Sequence, residues 1–376
     1  MDSSLAGVVV ADFSRVLAGP YATMLLADLG ATVVKVEPPV GDETRRWGPP
    51  WAADGASTYY LSVNRNKRSI ALDLRTDEGR ADAQEIAARS DVLIENFRSG
   101  SLDAFGLGYD TLRARNRGLV YCSITGFGGE SRLSGYDVVV QAVSGLMSLT
   151  GPVGEPSKVG VAIADVVTGL HASVAILAAL RHRDRTGDGQ RIEVNLLSSM
   201  LSALVNAGGA YAETGESPTA MGNRHPSICP YEPFPTADRP LIIAVGNDAQ
   251  FAALCRCVGL PRLASESRFA HNADRVAHRE ELVALLRERL ATRDATTWQA
   301  DLDAAGVPCG PVNDLAGGMA AATALGLAPL VALGSRQQVA NPFEMSETPV
   351  TYRQPPPGLD DDAHAVRQWL KGGDLT

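Results

Sequence analysis

Residues 7–37 read GVVVADFSRVLAGPYATMLLADLGATVVKVE, and this stretch decides the fold. GVVVADF (7–13) and TVVKVE (32–37) are short β-branched runs with too few polar positions for a strand wetted on one face. Such runs suit a parallel sheet covered on both sides. Between them YATMLLADLG carries helical spacing, and Gly30 is placed to end that helix because glycine takes left-handed backbone without strain. The rhythm repeats outward. SIALDL, DVLIENF, GLVYCSIT and GQRIEVNLL predict further buried strands, while DEGRADAQEIAARS and SSMLSALVNAGGAYAETG predict helices. Together they predict an α/β fold, doubly wound about a parallel sheet, that closes near residue 215.

From residue 217 to 238 the composition turns to Pro, Asn, His and Gly, and MGNRHPSICPYEPFPTAD predicts an irregular connection. Beyond it LIIAVG predicts a strand, and DAQFAALCRCVGL, REELVALLRERLA and TTWQADLDAAG predict helices. A smaller mixed α/β domain is therefore expected, with linker and small domain over 217–312. DDDAHAVRQWL predicts a last helix.

The formal charge of -9 opposes a nucleic-acid partner, which needs clustered Lys and Arg. Asp2 stands where a signal peptide is basic, and the apolar runs read as shorter than the ~18 residues of a bilayer crossing. A cytoplasmic protein with no membrane partner is the expectation. The five cysteines are scattered without paired spacing, and the six histidines never fall at metal-ligand spacing. Reduced core thiols and no metal are expected.

Several catalytic signatures are missing, among them a G-x-S-x-G elbow, a phosphate loop and H-E-x-x-H. The GFGG run, Gly126–Gly129, lacks the full dinucleotide spacing, so no nicotinamide cofactor is expected. VGVAIADVVTGLHASVAILAAL (159–180) places one carboxylate, Asp165, at the start of an apolar helix. Asp165 suits an N-cap accepting from free backbone N–H groups. The same geometry suits a carboxylate facing the crevice at the carboxyl ends of parallel strands, where it can act as a nucleophile.

LAGVVVADFSRVLAGPYATMLLADLGATVVKVEPP, NRNKRSIALDL, DVLIENFRSGSLDAFGLGYD, ADVVTGLHA and GNRHPSICPYEPFPTADR occur in one order, and the similarity runs on through AGVPCGPVND. In this the chain resembles the family III CoA-transferases. The resemblance implies a Rossmann-like large domain of residues 1–216 completed by a C-terminal tail, 313–376, and an interlocked homodimer. It implies coenzyme A as cosubstrate, with an acyl-CoA and a free carboxylic acid as partners, and Asp165 as the nucleophile. Asp165 would carry an aspartyl anhydride and then an aspartyl-CoA thioester, without ATP or metal.

By the same resemblance Val16, Leu17 and Ala18 contact the nucleotide, with Leu17 where formyl-CoA transferase has Gln. Asn64, Lys67, Arg68, Asn96, Phe97 and Arg98 match segments that hold the CoA phosphates and adenine, with Arg45 and Arg46 of the same type. Tyr136 of SGYD replaces the His of the related racemases. A phenol with a pKa of ~10 is a poor base at neutral pH, which favours transfer, with Tyr136 positioning substrate beside Asp137. Gly222, Asn223 and His225 of GNRHP match a lid region and are further substrate candidates. A 2-methylacyl-CoA racemase and an inactive CoA-binding scaffold are the alternatives.

Overall fold

The computed structural model describes residues 3–129, 131 and 133–375, so Asp2 lies outside the described residues. The chain forms two units: Met1–Leu146 with Lys158–Ser217 and Ala328–Thr376, and Met147–Ser157 with Pro218–Leu327. The break at 217 lies beside the expected one, but two segments fall elsewhere. Residues 147–157 belong to the smaller unit, and so do 313–327. The latter follow from hydrogen bonding: Val312 N–H donates to Pro240 C=O and Arg239 to Asn313 Oδ1, which ties the chain beyond residue 312 to the small sheet.

The larger unit runs β1 (Val9–Asp12), α1 (Ala18–Asp28), β2 (Thr32–Glu37), α2 (Thr58–Ser62), β3 (Lys67–Ala71), α3 (Asp77–Arg89), β4 (Val92–Glu95), α4 (Tyr109–Arg115), β5 (Val120–Thr125), α5 (Asp137–Val143), α6 (Leu146–Leu149, at the boundary), α7 (Ile163–Thr186), β6 (Arg191–Asn195), α8 (Leu196–Ala203) and α9 (Val205–Thr214). Its six strands are parallel in the order β3-β2-β1-β4-β5-β6. This is the doubly wound order whose direction reverses between β1 and β4. One face packs Ala22, Leu26, Ala172 and Ile176 against Val10, Ile94 and Val120. The other packs Ile86, Leu107 and Leu112 against Val34, Ile70 and Leu93. One predicted helix is two, because Val205 takes a φ of 36° that interrupts residues 198–215.

Helix α7 corrects the reading of apolar runs. Its 24 residues are long and apolar enough to cross a bilayer by length and composition alone. Here 44% of its apolar window is buried in the protein. Ala164, Thr168, Ala172, Ile176 and Ala179 form one buried stripe at helical spacing.

The smaller unit contains β7 (Tyr231–Phe234), β8 (Leu241–Ala244), α10 (Asp248–Cys257), α11 (Asn272–Ala277), α12 (Arg279–Leu290), α13 (Ala295–Ala304), β9 (Cys309–Pro311) and α14 (Leu315–Ala324). An antiparallel sheet, β7-β8-β9, shares a core with Phe251, Phe269 and Trp298. YEPF, expected to be irregular, is strand β7. It lies at the edge, where Pro233 removes a donor without breaking the ladder.

The tail returns to the larger unit as a hairpin, β10 (Leu330–Leu333) and β11 (Arg336–Val339), and a final helix, α15 (Ala363–Leu370). Asp28 anchors this return. Its buried carboxylate accepts from Arg65 Nη2 at 2.6 Å, Asn66 Nδ2 at 2.8 Å and Asn341 Nδ2 at 3.0 Å, while Arg65 Nη1 reaches Val339 C=O. Removing one partner of a buried pair strands the other charge. Asp28→Ala is therefore expected to cost about 3–5 kcal/mol in urea unfolding. Arg75→Ala, which breaks an exposed pair with Asp73, is expected to leave the midpoint unchanged.

Candidate active site

The turn after β1 is built on a buried ionic network. Asp12, last in β1, lies in register with Lys35 of β2. Asp12 accepts from Ser14, from Thr23 Oγ1 at 2.6 Å and from Lys67 Nζ at 3.0 Å. Lys35 donates to Ser14 C=O and Asp42, each at 3.0 Å. Burial opposes charge on both lysines, with different outcomes. Around Lys35 the carboxylates of Asp42, Asp12 and Glu37 outweigh burial and raise its pKa. At Lys67 burial wins, helped by the neighbouring Lys35 against Asp12, and its pKa falls to about 8.

On this base Val16 holds a φ of 70°, a left-handed conformation that a β-branched residue adopts only under constraint. The constraint is visible on both sides. Asp42 Oδ2 accepts from Val16 N–H at 3.3 Å, and the Asn96 amide bonds Arg15 N–H at 2.9 Å and Arg15 C=O at 2.7 Å. Helix α1 begins directly after, and Gly169 of α7 lets it approach. A Cβ at Gly169 would lie 2.7 Å from Ala18 O. The glycine of ADVVTG thus brings α7 against the turn.

Asp165 is not the cap of α7. It is the third residue of the helix, and the cap comes from α5: Asp137 Oδ1 accepts from Ala164 N–H at 2.8 Å and from Asp165 N–H at 3.4 Å. Gln141 fixes Asp137 by donating to its other oxygen at 2.7 Å. Among the described residues none donates a hydrogen bond to the Asp165 carboxylate. A helix N-terminus favours a negative charge, but desolvation first, and the charge of Asp137 second, push the Asp165 pKa up to about 7.

Asp165 lines a crevice of about 740 Å³ with residues that follow β1 (Arg15, Val16, Ala18), β4 (Asn96, Phe97, Arg98) and β5 (Gly126–Gly129), and with Tyr136 and Asp137. This lies at the carboxyl ends of the strands where the sheet order reverses, the place where such sheets bind ligands. Gly126 and Gly135 pack backbone to backbone there, with no room for a Cβ on either. Tyr136 is 58% exposed, and its C=O accepts from the Val139 and Val140 N–H groups in the first turn of α5. Phe97 carries the Arg15 guanidinium, 5.2 Å from its ring centroid.

One residue escaped the sequence reading. Tyr59 of α2 is half-buried, its ring edge-on to Trp47 at 5.1 Å. Burial, followed by the charges of Asp165 and Asp137, raises its phenol pKa. Only a three-dimensional arrangement brings α2 beside α7, so no local motif marks it.

Other expected residues of the larger unit are not among those lining the crevice. Asn64 and Lys67 are fully buried, and Lys67 Nζ contacts Asp12, Pro20 C=O and Asn64 Oδ1 within 3.0 Å, so neither presents a free donor to a phosphate. Their work is to support the turn. Arg68 pairs with Asp362 at 3.5 Å, and Arg45 is bonded to Glu37 and Tyr60. Arg46 is exposed and Leu17 precedes α1. Gly222, Asn223 and His225 belong to the smaller unit. There the His225 ring lies 5.2 Å from Tyr231, and its Nδ1 accepts from Ser227 N–H. The cysteines are free thiols, three buried and two partly buried.

A model described as CoA-transferase family III matches residues 5–363. A succinate–glutarate CoA-transferase of Agrobacterium fabrum is 43% identical, over 95% of this chain and 93% of its own length. A succinyl-CoA:glutarate CoA-transferase of Homo sapiens is 45% identical, over 83% of this chain and 72% of its own. Among solved structures, a CAIB/BAIF family protein from Brucella suis is 41% identical with a TM-score of 0.90, covering 98% of this chain and 100% of that one. Matched by the family model over residues 5–363, the chain belongs to CoA-transferase family III.

Proposed function

We propose that the enzyme exchanges CoA between acyl-CoA and free dicarboxylic acids through covalent intermediates on Asp165. The observation that carries this is the carboxylate itself. It stands at the first turn of α7 in the crevice, without a hydrogen-bond donor among the described residues and with its basicity raised. An oxygen so little stabilised is a better nucleophile than an ordinary carboxylate. The names of the two relatives, which pair succinate or succinyl-CoA with glutarate, support dicarboxylic substrates.

In the proposed route an Asp165 oxygen attacks the thioester carbonyl, the C–S bond breaks and CoA thiolate leaves, giving a mixed anhydride. The thiolate then attacks the aspartyl carbonyl and expels the donor acid as its carboxylate. Asp165 now carries CoA as a thioester. An acceptor carboxylate displaces the thiolate, which attacks the acceptor's carbonyl in the second anhydride and restores the Asp165 carboxylate. One thioester replaces another, with no net proton transfer. The phenol of Tyr136, which lines the crevice, is the group assigned to donate to developing oxyanions. Among the described residues no histidine lines the crevice, which weighs against the racemase.

We further propose that the uncovered apolar surface of α7 to α9, with Val174 66% and Val205 73% exposed, meets a second copy of the chain.

Four outcomes are expected. After incubation with succinyl-CoA, intact-protein mass spectrometry should show a CoA adduct on the wild type and none on Asp165→Ala, whose turnover is lost; an adduct persisting in the variant would sink the assignment. Because the attacking group must be ionised, kcat/KM should fall as pH drops below about 7. Asp137→Asn keeps an acceptor for the helix and removes the charge, so this limb should move to lower pH; an unmoved limb would contradict the coupling. In light scattering, Val174→Glu should shift the mass toward that of a monomer if the α7 surface is an interface, whereas an unchanged mass would exclude it.

A further inference from the structure

Arg15 is a partly buried cation whose Nε is shut away from solvent. Its backbone is clamped on both sides by Asn96, and its guanidinium lies over Phe97 at 5.2 Å. Its Nε has no hydrogen-bond partner among the described residues. Among the described residues no carboxylate lies in ion-pair range of it, although Glu43, Asp137 and Asp165 line the same crevice. An unmet buried N–H is costly to keep, and a charged one more so. Held over the Phe97 ring and bonded to no carboxylate among the described residues, the guanidinium can offer two-point recognition to an oxyanion.

The crevice needs such a group. The described charged residues that line it are Arg15, Arg98, Glu43, Asp137 and Asp165, an acidic balance that disfavours an anionic substrate. Arg98 is exposed at the rim, whereas Arg15 is partly buried. A CoA phosphate and the second carboxylate of a dicarboxylic acid offer the same chemistry to Arg15. The partly buried position favours the smaller group, whose desolvation a single Arg can offset. We infer that Arg15 is a specificity-determining residue that holds the distal carboxylate of the dicarboxylic substrate. The inference rests on the dicarboxylate reading proposed above.

The test compares glutarate with glutaramate, its monoamide, as acceptors at saturating succinyl-CoA, in the wild type, Arg15→Met and Arg15→Lys. The inhibition constant of free CoA is measured alongside. The wild type should prefer glutarate by about 10–100-fold in kcat/KM, the range for one charge-assisted contact. Arg15→Met should erase that preference through glutarate alone, with the CoA constant and thermal midpoint unchanged, and Arg15→Lys should restore part of it. A raised CoA constant with the acid preference intact would make Arg15 a phosphate ligand and overturn the inference. Equal loss on both acids would overturn it too. Failure of the wild type to transfer CoA to either acid would instead overturn the dicarboxylate reading, and the inference with it.

Discussion

The N-terminus of α7 is capped by one carboxylate, and Asp137 supplies it. By accepting from the N–H groups of residues 164 and 165, Asp137 fixes where the helix starts and leaves the Asp165 side chain outside the capping bond. Its charge then adds to burial in opposing ionisation of Asp165. A side chain that capped its own helix would be held as a stable anion. Separating the cap from Asp165 gives a carboxylate that is set at the helix start and whose basicity is raised, as the proposed nucleophilic role requires. Gln141 locks this arrangement by binding Asp137 and, through Oε1, Val159 N–H.

The same logic governs the other wall of the crevice. The buried pairs Asp12–Lys67 and Lys35–Asp42, each at 3.0 Å, lie beneath the β1–α1 turn. Buried ion pairs are weak sources of net stability because desolvation cancels much of their attraction. What they specify here is geometry. Asp42 and Asn96 hold Val16 in a left-handed state and aim Arg15 at Phe97, and Gly169 lets α1 and α7 close on one another. A polar network that is costly to bury thus fixes a short, strained segment in the crevice that Asp165 also lines.

Much of this was legible because buried parallel strands are written as continuous β-branched runs. VVAD, TVVKVE, VLIE and VYCSIT have no other comfortable environment, and all four are central strands. Asp165, Tyr136, Asp137 and the 15–18 and 96–98 segments meet because each follows a strand end, or caps a helix that packs on one. Lys67 and Asn64 misled because a basic motif looks alike whether its charge faces a phosphate or a buried aspartate. The difference lies in Asp12, 55 positions away. Edge strand β7 was hidden by Pro233, and the length of the apolar run in α7 by the single Asp165 inside it. Tyr59 and the capping role of Asp137 depend on contacts between distant segments, for which local spacing holds no signal.

The most direct test is the pH dependence of stability in Asp165→Asn against the wild type, by urea unfolding from pH 4 to pH 8. The folded wild type keeps the Asp165 proton up to about pH 7, while the unfolded chain releases it near the ordinary carboxylate value. Ionisation therefore costs the wild type stability as pH rises through that window, and the asparagine carries no such cost. The two proteins should be similar near pH 4, and the variant should be more stable at pH 8 by on the order of 1–3 kcal/mol. A difference that does not change with pH, or a variant that loses stability as pH rises, would show that Asp165 is an ordinary, well-solvated carboxylate and would contradict the account.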